Sequence, residues 1–258
     1  MTAPITFVSE MIPTNLVEGV APVRLQLLVA RPEGAGPFPT LVFNHGSTGT
    51  ARSPAMFRRA VKHDALADYF LRRGWMVIFP QRRGRGKSDG LYDEGLAPGR
   101  VGYSCDARVA LSGAERALDD VAAVMDHVDL RADVLKGKTI IGGASRGGAL
   151  AMAYASRNPD SVVGVVNFNG GWLGQGCVGY ERINPELFRD AARFQGPTTW
   201  LYGTKDNYYP IAHCRGIFDD FISKGGRGDF HAVRGGGHML VLRPEFWRSA
   251  LDQLHAHL

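Results

Sequence analysis

A chain of 258 residues with 45% apolar and 21% charged side chains can bury a full-sized core, hiding roughly 70 to 75% of its unfolded surface, and this excludes intrinsic disorder. The formal charge of +5 is a solubility charge rather than a nucleic-acid footprint, because the densest basic run (Arg82, Arg83, Arg85, Lys87) is interleaved with glycine and not with stacking aromatics. No run reaches the ~18 apolar residues of a membrane span, residues 1–12 lack the basic start and long apolar stretch of a signal peptide, and Cys105, Cys177 and Cys214 form no C-x-x-C pair, which argues against a disulfide framework and for a reducing cytoplasm.

In chain order, the apolar runs 5–12 and 23–30 have no helical pattern between them and predict an antiparallel pair at one edge of a sheet. Short apolar runs at 40–43, 75–79, 139–141, 161–168, 199–202 and 229–233 each lead into glycine and read as strands buried on both faces. Helical periods lie between them at 65–72, 114–128, 147–157, 211–223 and 244–255; Ala114, Ala117, Leu118, Val121, Met125 and Val128 make the clearest apolar stripe, and Pro244 suits the first position of the last helix. Alternating strand and helix predicts an α/β domain over residues 1–258, with a mostly parallel sheet covered on both sides. Two stretches break the alternation, at about 91–111 and 172–195. They carry Tyr92, Tyr103, Trp172, Tyr180, Phe188 and Phe194, and long connections on a tight scaffold read as lids.

Gly143-Ala144-Ser145-Arg146-Gly147 is a G-x-S-x-G with an apolar strand before it and a helical pattern after it. Small residues two places either side of the serine let strand and helix approach closely, so the hydroxyl projects from a strained turn. A serine hydroxyl needs a base on a loop at the same sheet edge. His238 suits this role, since it follows a strand and the Gly235-Gly236-Gly237 triplet; His231 lies inside a strand, His213 and His127 fall in helical patterns, and His255 and His257 are C-terminal. Asp206 follows the 199–202 strand after a short turn and is the candidate carboxylate for fixing the His238 tautomer. The amides of Arg146, at a helix start, and Ser47, in Asn44-His45-Gly46-Ser47 after a strand, are the candidate oxyanion donors. His45 reads as a loop-shaping residue. Trp172 follows Gly170-Gly171 at the same edge; it, Tyr103 and Tyr180 are the candidate substrate-binding aromatics, with packing as the alternative for Trp172.

These residues, in this order, resemble the α/β-hydrolase superfamily, and within it the dienelactone hydrolase-like serine esterases and the catalytic domains of prolyl-oligopeptidase-like enzymes. The resemblance spans the His45-Gly46 loop, the stretch from Phe79 to Ser88, the Ser145 elbow, Asp206 and His238. It implies an eight-stranded sheet and the order nucleophile, acid, base. Two departures stand out. Dienelactone hydrolase proper uses a cysteine where this chain has Ser145, and Gln81 stands where the family often has aspartate.

The expectation is a hydrolase that uses no cofactor or metal and acts on a small-molecule ester, or alternatively on short peptides or aminoacyl substrates. Neither H-E-x-x-H nor zinc-type Cys/His spacing occurs. Two rivals remain: a noncatalytic binding protein on the same scaffold, and a nucleotide site at Gly86-Lys87-Ser88, whose P-loop pattern fails because Gln81 occupies the leading glycine position.

Overall fold

Eight strands form one sheet in the computed structural model, which describes residues 4–49, 54–100 and 102–258. They are β1 (Val8–Glu18), β2 (Ala21–Ala30), β3 (Phe38–Asn44), β4 (Met76–Gln81), β5 (Val134–Ala144), β6 (Gly164–Phe168), β7 (Thr198–Gly203) and β8 (Gly228–Val233), in the spatial order β1-β2-β4-β3-β5-β6-β7-β8. β2 pairs antiparallel with both β1 and β4, and the remaining neighbours are parallel. The helices are α1 (Pro54–Arg58), α2 (Asp64–Leu71), α3 (Ala107–Leu130), α4 (Arg146–Arg157), α5 (Tyr180–Ile183), α6 (Ile211–Ser223) and α7 (Arg248–His255). This is the expected α/β arrangement, with the expected antiparallel N-terminal edge.

Strand periodicity sorts the core into two layers. Val42, Met76, Ile78, Ile141, Val165, Trp200 and Tyr202 face one side, where α3, α4 and α6 supply Val121, Leu150 and Phe218. Leu41, Phe43, Val77, Phe79, Ile140, Val166 and Leu201 face the other, against Phe70 of α2 and Trp247, Leu251 and Leu254 beside and within α7. A run buried on both faces cannot show polar alternation, so these strands read in the sequence as continuous apolar segments.

Several expectations are adjusted. The first long connection ends sooner than expected, because Asp106 caps α3 by accepting from the Val109 amide and the helix starts at Ala107. Pro244 opens a short 3₁₀ turn, and α7 begins only at Arg248. The cysteine reading is overturned: Cys105 and Cys177 form a disulfide across 72 residues, and Cys214 is the buried free thiol. Each partner lies in one of the two long connections, so the pairing comes from tertiary proximity and leaves no local spacing signal. It also removes the thiol argument for a reducing compartment. Among the described residues no helix is long and apolar enough to cross a membrane.

Candidate active site

Strand register brings the site together. Asn44 lies opposite Gly143, Ala144 opposite Phe168, Phe168 opposite Leu201, and Gly203 opposite Val233. The C-terminal ends of β3, β5, β6, β7 and β8 are therefore neighbours, and the loops carrying Ser47, Ser145, Asn169, Asp206 and His238 leave the sheet at one edge.

Ser145 sits between β5 and α4 with φ 56° and ψ −124°, a strained conformation for a residue with a side chain. The flanking glycines are sterically required. A Cβ on Gly147 would come within 2.1 Å of the Asn44 carbonyl oxygen, and one on Gly143 within 2.2 Å of the Gly147 backbone. The Ser145 amide donates to the Phe168 carbonyl at 2.8 Å, which anchors the turn to β6. The residue is 8% exposed, and its Oγ lies 3.5 Å from the Tyr209 hydroxyl, the one hydrogen-bond partner it has among the described residues.

His238 Nδ1 lies 2.9 Å from Oδ2 of Asp206, so the proton sits on Nδ1 and Nε2 is left free. The same Oδ2 accepts from Asn169 Nδ2 at 2.7 Å, and Oδ1 accepts from the amides of Tyr208 at 2.7 Å and Tyr209 at 3.2 Å. Burial works to raise the Asp206 carboxyl, but the hydrogen bond and charge of His238 and the two amides outweigh it, and the group is held below the usual carboxylate value. Tyr208 and Tyr209 also place their rings against His238, at 4.6 and 5.4 Å.

The loop after β3 is shaped by His45. Its Nε2 accepts from the Arg82 amide at 3.1 Å, which leaves Nδ1 to donate to the Gly46 carbonyl at 2.7 Å. Burial, then the charges of Arg82 and Arg85, hold its pKa well below the ordinary histidine value, so the ring is neutral. A side-chain carbon on Gly46 would lie 3.1 Å from Cβ of Ser145, so this loop rests on the elbow. Ser47 follows at once, and among the described residues neither its amide nor that of Arg146 has a protein acceptor. For Arg146 this follows from its place at the first position of α4, where an amide has no intrahelical carbonyl to bond, since the residue four back, Gly142, lies in β5.

A buried ionic cluster lies behind this loop. Arg82 Nε donates to Glu94 Oε1 at 2.6 Å, and its two terminal nitrogens reach the carbonyls of His45 and Gly46. Tyr92 donates to Glu94 Oε2 at 2.9 Å, and Arg146 Nη1 donates to the Glu94 carbonyl at 2.7 Å. Burial opposes ionisation of Glu94, yet the charges of Arg82 and Arg146 hold its pKa below the usual carboxylate value.

The expected aromatics take different places. Tyr103 belongs to the frame of the site: its hydroxyl accepts from the Thr48 amide at 2.9 Å and meets that of Tyr92 at 2.7 Å, with the Arg146 guanidinium over its ring. Trp172 is 1% exposed, donates its Nε1 hydrogen to the Ala110 carbonyl at 2.8 Å, and is covered by Arg146. It therefore presents no open face to a ligand here, and the packing alternative describes its surroundings. Tyr180 packs on His213 of α6 and donates to Glu181.

The basic loop holds no phosphate cradle. The amides of residues 84–89 are all spent within the protein, that of Lys87 on Gln26 Oε1 and that of Gly86 on the Phe57 carbonyl. Gln81 clasps both backbone groups of Val61.

Residues 56–173 match a family model described as serine aminopeptidase, S33. Est1E from Butyrivibrio proteoclasticus, solved with ferulic acid, superposes with a TM-score of 0.63 at 16% identity over 91% of this chain and 96% of its own. The chain has the α/β-hydrolase fold. A predicted CIB-like hydrolase from Thermoplasma acidophilum is similar over 98% of this chain and 99% of its own, at 22% identity and a TM-score of 0.59. Acylaminoacyl peptidase from Pyrococcus horikoshii matches 99% of this chain but only 42% of its own, at 13% identity and a TM-score of 0.68.

Sequence reasoning missed Asn169, Tyr209 and Glu94. Asn169 and Tyr209 did carry a positional signal. Asn169 directly follows β6, and Tyr209 stands three residues after Asp206, so both belong to loops at the functional edge.

Proposed function

We propose that this α/β-hydrolase is a serine hydrolase that cleaves carboxylic esters through an acyl-enzyme on Ser145. The observation that carries this reading is the 2.9 Å contact of His238 with a buried Asp206 on loops beside a strained Ser145 elbow. Ser145 Oγ attacks the carbonyl carbon as its proton passes to His238 Nε2. The amides of Ser47 and Arg146 receive the oxyanion, and His238 returns the proton to the departing alcohol. Water, activated by the same histidine, then releases the acid. Asp206 stays ionised throughout; it holds the tautomer and stabilises the imidazolium.

The substrate is a small molecule. The two long connections, joined by Cys105–Cys177, wall the site: Tyr103 of the first holds the loop after β3, and Gln175 of the second bonds the Tyr208 and Asn207 backbone beside His238. The serine esterase likeness of dienelactone hydrolase type is supported by the elbow and the His45-Gly46 loop. The peptidase-type match over residues 56–173 favours a second reading, hydrolysis of aminoacyl or short-peptide substrates by the same three residues.

Labelling with a fluorophosphonate, followed by p-nitrophenyl esters of rising chain length beside a lactone and an aminoacyl amide, tests both readings. Faster turnover of the amide than of every ester assigns the peptidase reading. No labelling and no turnover makes the chain a binding protein on a hydrolase scaffold.

A further inference from the structure

Among the described residues, the Tyr209 hydroxyl has a single hydrogen-bonding neighbour, Oγ of Ser145 at 3.5 Å. The tyrosine is buried and held from several directions. Its amide is bonded to Asp206 Oδ1, and its ring lies against His238. On another side the ring fills the space at Gly171, where a Cβ would come within 2.6 Å of its Cε1. Gly171 is itself tied to the elbow, its amide donating to the Ser145 carbonyl at 3.3 Å. The ring thus has little freedom to take its hydroxyl elsewhere. Burial raises the phenol above its ordinary pKa, so it keeps its proton.

A serine hydroxyl has one hydrogen and two lone pairs. In the attacking geometry that hydrogen points to His238 Nε2 and one lone pair is directed at the carbonyl carbon, which leaves the other open to a donor. Tyr209 is the donor in position. The separation exceeds the 2.5 to 3.0 Å usual for O–H···O bonds, and catalytic hydrogen bonds in unliganded sites are often long and shorten as charge develops.

We infer that Tyr209 is a further catalytic residue of this site, donating a hydrogen bond to Oγ of Ser145 whenever that oxygen carries developing negative charge; this rests on the reading of Ser145 as nucleophile. In acylation the Oγ–C bond forms, the carbonyl π pair moves to the carbonyl oxygen, and the Oγ proton goes to His238. In deacylation a water oxygen bonds to the same carbon and gives a proton to His238. The Oγ–C bond then breaks with its electron pair on Oγ, and His238 returns the proton to it. Tyr209 keeps its own proton in both halves and stabilises the same atom in each. It is therefore expected to act on kcat and on the intrinsic reactivity of the serine, and not on substrate affinity.

The test uses the whole chain with Tyr209→Phe, which keeps the ring and its packing. The expected result is a fall in kcat of about 10- to 100-fold, the range of one hydrogen bond to a charged oxygen, with KM within a factor of two of wild type and an unchanged melting temperature. The second-order rate of fluorophosphonate labelling should fall by the same factor, which loss of a purely structural contact would not produce. Site-specific 3-fluorotyrosine at 209 retains the fold should the Phe variant not, and as the stronger donor it should label faster than wild type. Labelling at the wild-type rate in whichever of the two folds overturns the inference. If the wild-type protein itself is not labelled, the serine-hydrolase reading falls instead, so the two failures are distinguishable.

Discussion

His238 donates through Nδ1 to an Asp206 carboxylate that already accepts three other N–H groups, from Asn169, Tyr208 and Tyr209. An acceptor so fully used cannot be exchanged for a mixed donor and acceptor without conflict. In Asp206→Asn the new amide NH₂ would face Nδ1 of His238 and Nδ2 of Asn169, both donors, and would drive the imidazole to the wrong tautomer. Turnover of p-nitrophenyl esters by this variant should fall on the order of 10⁴-fold. Ser145→Ala should lose on the order of 10⁶ in kcat with its melting temperature retained. Wild-type-like turnover by either purified variant would remove that residue from the proposed mechanism.

The disulfide makes a direct prediction about thiol counts. Native protein purified without reductant should show almost no reactive thiol, because Cys214 is buried; the unfolded, unreduced chain should show one, and the unfolded, reduced chain all three. A cross-link closing a loop of 72 residues can contribute about 4 kcal/mol by restricting the unfolded chain. Reduction should therefore lower the melting temperature by several degrees. Three thiols in the unfolded, unreduced protein would refute the pairing.

Trp172→Ala should behave as a core substitution. The indole is buried, bonded to Ala110 and stacked under Arg146, so its loss should cost about 3 to 5 kcal/mol and depress turnover of every ester in parallel. A reordered substrate ranking at an unchanged melting temperature would return Trp172 to the substrate-binding set.

The sequence revealed the parts of this protein governed by local rules. The strands buried on both faces appear as apolar runs, and the elbow appears as G-x-S-x-G because Gly143 and Gly147 each lack room for a Cβ. Asp206 and His238, which lie 2.9 Å apart, could be singled out from many carboxylates and eight histidines because each follows a strand at the sheet edge that carries Ser145. Features that depend on distant residues left no such trace. Cys105 and Cys177 meet only because two long connections fold together, and Arg82 meets Glu94 across a loop that the alternation of elements says nothing about. Trp172 illustrates the same limit, since its position after β6 is correct but the direction of its side chain is set by Ala110 of α3 and by Arg146.

After Asp206, Glu94 should be the most sensitive carboxylate. It and Arg82 are almost wholly buried, at 4% and 2% side-chain exposure, and removing one member of such a pair leaves an uncompensated charge, typically at a cost of 3 to 5 kcal/mol. Arg82 also holds the carbonyls of His45 and Gly46, directly before Ser47. Glu94→Gln should therefore lower stability and, at temperatures where the variant remains folded, lower kcat more than it raises KM. A variant of wild-type stability in a denaturant titration would contradict the charged reading of the pair.

A second, more exposed network sets the expected acid sensitivity. Arg131 bonds both Glu10 and Asp133, and Arg31 does the same from β2's end. Hydrogen bonding to Arg131 is the chief cause that brings Asp133 from its ordinary value of 3.8 down to about 2, against a smaller opposing effect of burial, and Glu10 is lowered by the same arginines against burial. A carboxyl whose folded-state pKa is depressed contributes stability that is complete above its unfolded pKa and disappears as pH falls through the folded one. For Asp133 that window runs from about pH 4 to about pH 2. Because these groups are partly open to solvent, screening leaves about 1 kcal/mol in place of the full shift, or a difference of about 2 to 4 °C in melting temperature for a chain of this size. Arg131→Met should melt lower than wild type by that amount at pH 6, and the gap should close as both are brought towards pH 2. A gap that is constant with pH would show that Arg131 contributes through packing and not through its two carboxylates.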